Sequence, residues 1–218
     1  MTAARKATAV LISGRGSNMQ ALLDAAKDPG YPARIVRVIS NVRNAGGLKR
    51  AEAAGVATSV IDHRAYEGRP AFEAALDQAL RADGVEIVCL AGFMRLLTAD
   101  FVDSWRDRLI NIHPSLLPAF PGLDTHARAL AAGVRFTGCT VHFVRPTMDE
   151  GPIIVQAAVP VEPGDNEPTL AARVLAAEHK AYPLALKLVA SGKAKVVRER
   201  VEIPGGHVPE GPIFNPLS

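Results

Sequence analysis

Cysteine and the large aromatics are scarce in this chain, and each shortage removes a class of function. The two cysteines, Cys89 and Cys139, lie inside apolar segments without Cys-x-x-Cys spacing. Neither a disulfide framework nor a dithiol redox centre is indicated, and both read as buried thiols. One Trp and three Tyr leave little to stack on nucleic-acid bases. Lys and Arg number 25 against 22 Asp and Glu, a net charge of +3, and the short basic run Lys193 to Arg200 itself contains Glu199. A small anionic substrate explains that sign as well as a nucleic acid does, and charge alone does not choose. No apolar run reaches the roughly 18 residues of a spanning helix. Met1 to Lys6 pass straight into a short strand with no apolar signal region. The expectation is a soluble cytoplasmic protein that engages neither membrane nor nucleic acid. Several motifs are missing too. There is no His-x-x-x-His or similar ligand spacing: His63 and His207 fall in loops, His126 near a helix start, His142 on a strand and His179 in a helix, so no metal is expected. Gly-x-Gly-x-x-Gly fails at Met19 and the Walker lysine is missing, which disfavours a nicotinamide or ATP site. Ser115 lacks the Gly-x-Ser-x-Gly setting of a hydrolase nucleophile.

What remains is ample apolar material, 48% of 218 residues, arranged with two periods. Strands are expected at 8–12, 35–40, 58–61, 85–91 and 109–113, and helices at 19–26, 47–54 and 70–81, the last with Pro70 at its start. Short apolar strands alternating with ten-residue helices describe an α/β fold, a Rossmann-like open sheet that is parallel here and covered by helices on both faces. After Gly138 the pattern changes. Residues 140–144 and 153–159 flank a turn-rich loop and form a hairpin, giving an antiparallel extension toward the C-terminus. A long helix then starts at Asp165 to Pro168, with Leu170, Val174, Ala177, Ala181, Leu184 and Leu188 at helical spacing. Pro183 would kink or divide it. The chain reads as a single domain, 1–218, with a core of about 8–190 and an irregular tail of about 200–218.

Three segments carry candidate chemistry. Asn111-Ile112-His113-Pro114-Ser115 ends an apolar strand, so Asn111 and His113 point to the same side, and Pro114 keeps His113 extended. An amide beside an imidazole can polarise a carbonyl and handle a proton; the plain alternative is a turn with a structural histidine. Ser13-Gly14-Arg15-Gly16-Ser17-Asn18 joins a strand to a helix and offers free backbone N–H groups to a phosphate, or is merely a capped loop. Gly92 to Leu97 follows another buried strand, at the end of the sheet where open α/β folds bind ligands. Met94, Leu96 and Leu97 there line a flat apolar slot or pack the core. The loop Arg145 to Pro152 carries Asp149 and Glu150, and a carboxylate against His113 would stabilise its protonated ring.

Together, Ser13-Gly14-x-Gly16-Ser17-Asn18, Ala91 to Arg95, Asn111 to Pro118 with Pro121-Gly122-Leu123, and His142-Phe143-Val144 with Asp149-x-Gly151-Pro152-Ile153 resemble the folate-dependent formyltransferases in order and spacing. The likeness covers residues 8 to about 190. The Asn-x-His-Pro-Ser core is common to that group, whereas the Gly16-Ser17-Asn18 turn and Pro121 to His126 select the phosphoribosylglycinamide formyltransferase family. The resemblance implies formyl transfer from 10-formyltetrahydrofolate to the amine of 5′-phosphoribosylglycinamide, without a metal. It implies Asn111, His113 and Asp149 as catalytic residues, and Gly16, Ser17, Asn18 and Glu178 as the ribonucleotide site. The folate site it implies comprises Arg69, Met94, Arg95, Leu96, Leu97 and Asn111 with the loop Arg145, Pro146, Thr147, Met148 and Asp149. Arg15 stands where the family often has asparagine, and either tunes phosphate affinity or points outward. The implied partners are the two small molecules, with the protein a monomer or homodimer. Other formyl-folate enzymes fit less well. The methionyl-tRNA formyltransferase normally adds an RNA-binding domain, for which the residues after 190 are too few, and the hydrolase commonly has an N-terminal regulatory domain. A non-catalytic phosphate- or folate-binding protein is the alternative of a different class.

Overall fold

The computed structural model describes residues 4–206 and 210–216; Met1 to Ala3, His207 to Pro209, Leu217 and Ser218 lie outside them, and so does the loop placement expected for His207. The chain runs β1 (Lys6–Ile12), α1 (Ser17–Ala26), β2 (Ala33–Ser40), α2 (Gly46–Ala53), β3 (Ala57–Val60), a 3₁₀ turn (His63–Ala65), α3 (Gly68–Ala82), β4 (Ile87–Leu90), α4 (Ala99–Ser104), β5 (Leu109–His113), α5 (Thr125–Ala131), β6 (Phe136–Phe143), β7 (Ile153–Pro160), α6 (Glu167–Ala190), β8 (Lys195–Val197) and β9 (Arg200–Glu202). Seven strands form one open sheet in the order β3-β2-β1-β4-β5-β6-β7. β1 to β5 pair in parallel and β6 and β7 add on antiparallel, as the change of pattern after Gly138 predicts.

Apolar runs without alternation become strands covered on both faces. In β1, Val10 and Ile12 face α1, α2 and α6, while Ala9 and Leu11 face α3 and α4. The strand order turns back between β1 and β4, which brings the loops following these two strands together at one end of the sheet. Ser13 N donates to Gly92 O at 3.1 Å, and Met94 N to Ser13 Oγ at 2.8 Å.

Three features differ from the sequence reading. Pro183 does not divide α6, which stays one element of 24 residues. Ala181, Tyr182, Ala185 and Leu186 are buried around the proline, so packing carries the helix past the missing backbone bond. The Asn166–Thr169 capping box starts that helix. α4 is short, lacks a readable period, and is started by Thr98, whose hydroxyl accepts from Phe101 N. The irregular tail begins at Ile203 rather than at residue 200 among the described residues, because β9 pairs with β8 in a two-stranded ribbon. No helix among the described residues is long and apolar enough to cross a membrane.

Candidate active site

β5 points Ile110 and Ile112 into the core shared with α6 and turns Asn111 and His113 to the other face. His113 is buried, with Nε2 2.9 Å from Phe120 O and Nδ1 3.4 Å from Asp149 Oδ2. Both ring nitrogens face oxygen acceptors, and only the doubly protonated ring donates to both. Asp149 lies on the β6–β7 loop at φ +60°, a left-handed conformation that aspartate tolerates better than most residues. Gly122 N donates to its Oδ2 at 2.8 Å and so fixes the carboxylate. The segment after His113 is fastened by Ser115, whose Oγ donates to Ala119 O at 2.6 Å, and by Thr140, whose Oγ donates to Ser115 O at 2.7 Å. Ser115 is therefore a structural hydroxyl.

His142, read from sequence only as a strand residue, belongs to this cluster. Register sets it opposite Asn111 across β5 and β6. Its Nδ1 donates to Phe143 O at 2.9 Å, and burial holds its pKa below the ordinary imidazole value against the pull of that bond and of Asp149. The neutral ring keeps a lone pair on Nε2, which lies 3.3 Å from Asn111 Nδ2 and accepts from it. The Asn111 amide is thereby oriented, with one N–H on His142 and the second left for a ligand. Thr140 and His142, two apart on β6, are the signal for this face, but sequence does not show which residue they oppose.

At the neighbouring loop Gly16 caps α1 at φ +72°, and a Cβ there would stand 2.8 Å from Gly47 Cα. Only glycine allows so close an approach. The N–H groups of Ser17, Asn18 and Met19 precede the first intrahelical donor, Gln20 N, which bonds to Gly16 O, and no acid in the first turn offsets the dipole. Asn18 Nδ2 donates to Glu178 Oε2 at 2.8 Å, tying α1 to α6 and joining two residues that sequence reasoning assigned to one ligand. Glu178 is buried, and burial raises its pKa despite the Asn18 bond.

The segment from Met94 to Leu97 leaves Met94 and Leu96 exposed. Met148 and Leu123 are exposed too, and Met148 Cε approaches the Gly122 position. Arg95 and Leu97 are half-buried, Pro146 and Thr147 exposed. Arg69 is exposed in the first turn of α3. The Arg145 guanidinium does not join this group: its side chain is 9% exposed and pairs with Asp107 and Glu199. Arg15 is exposed. Among the described residues, no group of three or more His, Cys, Asp or Glu side chains could hold a metal ion.

A family model described as formyl transferase matches residues 6–186. Phosphoribosylglycinamide formyltransferase of Escherichia coli (strain K12) is 44% identical over 200 residues, covering 92% of this chain and 94% of that protein. The trifunctional purine biosynthetic protein adenosine-3 of Bos taurus is 54% identical over 188 residues, which is 86% of this chain and 19% of that protein. The chain thus spans about a fifth of the length of such relatives. The crystal structure of glycinamide ribonucleotide transformylase 1 from Symbiobacterium toebii matches with a TM-score of 0.89 at 50% identity, over 91% of this chain and 94% of that one. On these likenesses the chain belongs to the formyl transferases, and among them to the phosphoribosylglycinamide formyltransferase family.

Proposed function

We propose that the chain transfers the formyl group of 10-formyltetrahydrofolate to the amine of 5′-phosphoribosylglycinamide, giving N-formyl-glycinamide ribonucleotide and tetrahydrofolate in purine biosynthesis, as one domain over residues 1–218. The observation that carries this reading is the Asn111–His113–Asp149 cluster with His142 behind it. A folate-type formyl donor follows from the family, and the exposed apolar side chains of Met94, Leu96 and Met148 fit its ring.

The backbone N–H groups of Ser17 and Asn18 hold the ribonucleotide's phosphate, and Glu178 accepts from its hydroxyls. The folate lies along Met94 to Leu97 and beneath Pro146 to Met148, with Arg69 at the slot's edge. The neutral amine then attacks the formyl carbon. Asn111 donates its free N–H to the oxygen that becomes negative, and His113, 3.4 Å from Asp149, stands beside it as the group that handles the proton. A preorganised donor such as Asn111 is worth about 10²–10³ in rate. As the carbon–N10 bond breaks, the proton lost by the attacking nitrogen passes to N10, with His113 placed to exchange it.

The test supplies purified protein with 10-formyltetrahydrofolate and three competing acceptors: the ribonucleotide, methionyl-tRNA and water. Formylated ribonucleotide as the dominant product is expected. Formyl-methionyl-tRNA or free formate in its place overturns the assignment.

A further inference from the structure

Sequence places Arg145 at the folate slot and leaves the tail without a role; the structure joins the two. The enclosed guanidinium donates from Nε to Glu199 Oε2 at 2.6 Å, from Nη2 to Asp107 Oδ1 at 2.7 Å and from Nη1 to Val144 O at 3.1 Å. The other oxygen of Glu199 accepts from Arg106 Nη2 at 2.6 Å. One carboxylate from the tail therefore ties the base of the β6–β7 loop to the turn that leads into β5. A permanent charge so nearly buried needs partners of this kind.

The turn that presents Glu199 is itself unusual. Arg198 and Glu199 have φ of 49° and 57°, both left-handed. Hairpin turns of this shape favour Asn and Gly, and other residues adopt them at a cost. Strands as short as β8 and β9 do not sustain a ribbon alone. Val196, Val201 and Ile203 pack it on the core, and the ion pairs fix its tip. Beyond Arg145, Pro146, Thr147 and Met148 are exposed until Asp149 returns to Gly122 and His113. The exposed span thus hangs between two mounts, Arg145 and Asp149.

We propose that Glu199 is a positioning residue for the folate site: it completes the Arg145 mount and so sets where Pro146 to Met148 stand over the slot. This rests on the folate assignment made above.

The experiment compares the full chain with its Glu199→Ala and Glu199→Gln variants by amide hydrogen exchange and by formyl-transfer kinetics. In Glu199→Ala, exchange across residues 144–151 speeds up and KM for 10-formyltetrahydrofolate rises about fivefold, while KM for the ribonucleotide stays within about twofold. Glu199→Gln keeps an acceptor for Arg145 and falls between the two. Unchanged loop exchange, a rise in both KM values together, or faster exchange throughout the chain overturns the proposal. If the parent forms no formylated ribonucleotide, the functional reading fails, and the exchange comparison alone upholds or overturns the mount.

Discussion

Glu178 shows how a single buried group sets stability against binding. Burial raises its pKa above the usual 4.5, and the Asn18 amide offsets only part of that. A carboxyl whose folded pKa is raised contributes stability that is full below the unfolded value and lost as pH rises through the folded one. At neutral pH the ionised group is therefore a burden on the free protein. Glu178→Gln should raise Tm at pH 7, by about 2–4 °C for each kcal/mol relieved in a chain of this size, and the gain should shrink toward pH 4. The same variant should raise KM for the ribonucleotide about tenfold or more, through loss of a charged acceptor. Thermal unfolding at the two pH values, with ligand-free protein, checks the sign. Asn111→Ala should lower kcat by about 10²–10³ with little change in substrate dissociation constants, because its donor matters most once charge develops. Near-normal turnover in that folded variant removes Asn111 from the chemistry. His142 acts one residue further back. Its depressed pKa gives a contribution present above the unfolded value of 6.5 and lost as pH falls through the folded value. Protonation there would also turn Nε2 from acceptor to donor against Asn111 Nδ2. His142→Leu should lower kcat, and His142→Gln, which keeps an acceptor, should lower it less; equal losses in both would leave the ring as core packing.

Two glycines decide how the elements that carry the site can pack. A β-branched residue at Gly16 would meet Gly47 Cα and the left-handed φ at once, displacing the start of α1. Gly16→Val should raise KM for the ribonucleotide far more than KM for folate, and equal losses in a folded variant would refute the phosphate role of the turn. Gly151 lies where the β6–β7 loop passes the backbone of Phe143, and a Cβ there would collide with that carbonyl. Gly151→Ala should push the loop outward, widening the His113–Asp149 distance from 3.4 Å and lowering both Tm and kcat. A crystal structure of the variant with the loop in place would show the contact is not limiting. Legibility at this scale followed periodicity. β5, whose Leu109 to His113 run is bounded by a proline, was readable to the residue. α4 and the β8–β9 ribbon were not, since elements this short carry too few periods to stand out from loops.

For the whole molecule, the sheet is one partition with a core on each side. Trp105, 1% exposed, reports the side of α3 and α4, while α6 dominates the helix on the other. Both cores share the same strands, so denaturant titrations followed by Trp105 fluorescence and by far-ultraviolet circular dichroism should coincide; separate midpoints would show two units rather than one. The sequence by itself determined the longer strands and helices, that an antiparallel hairpin extends the parallel sheet toward the C-terminus, and that Asn111 and His113 share a face. These follow from period, turn residues and proline, which act over a few residues. Only the tertiary structure decided that Asp149 faces His113, that His142 orients Asn111, that Asn18 meets Glu178, and that Arg145 turns from the slot to Glu199. Those pairings depend on strand order, register and the path of loops, and a charge or lone pair acts on whatever lies within a few ångströms of it, however distant in the chain.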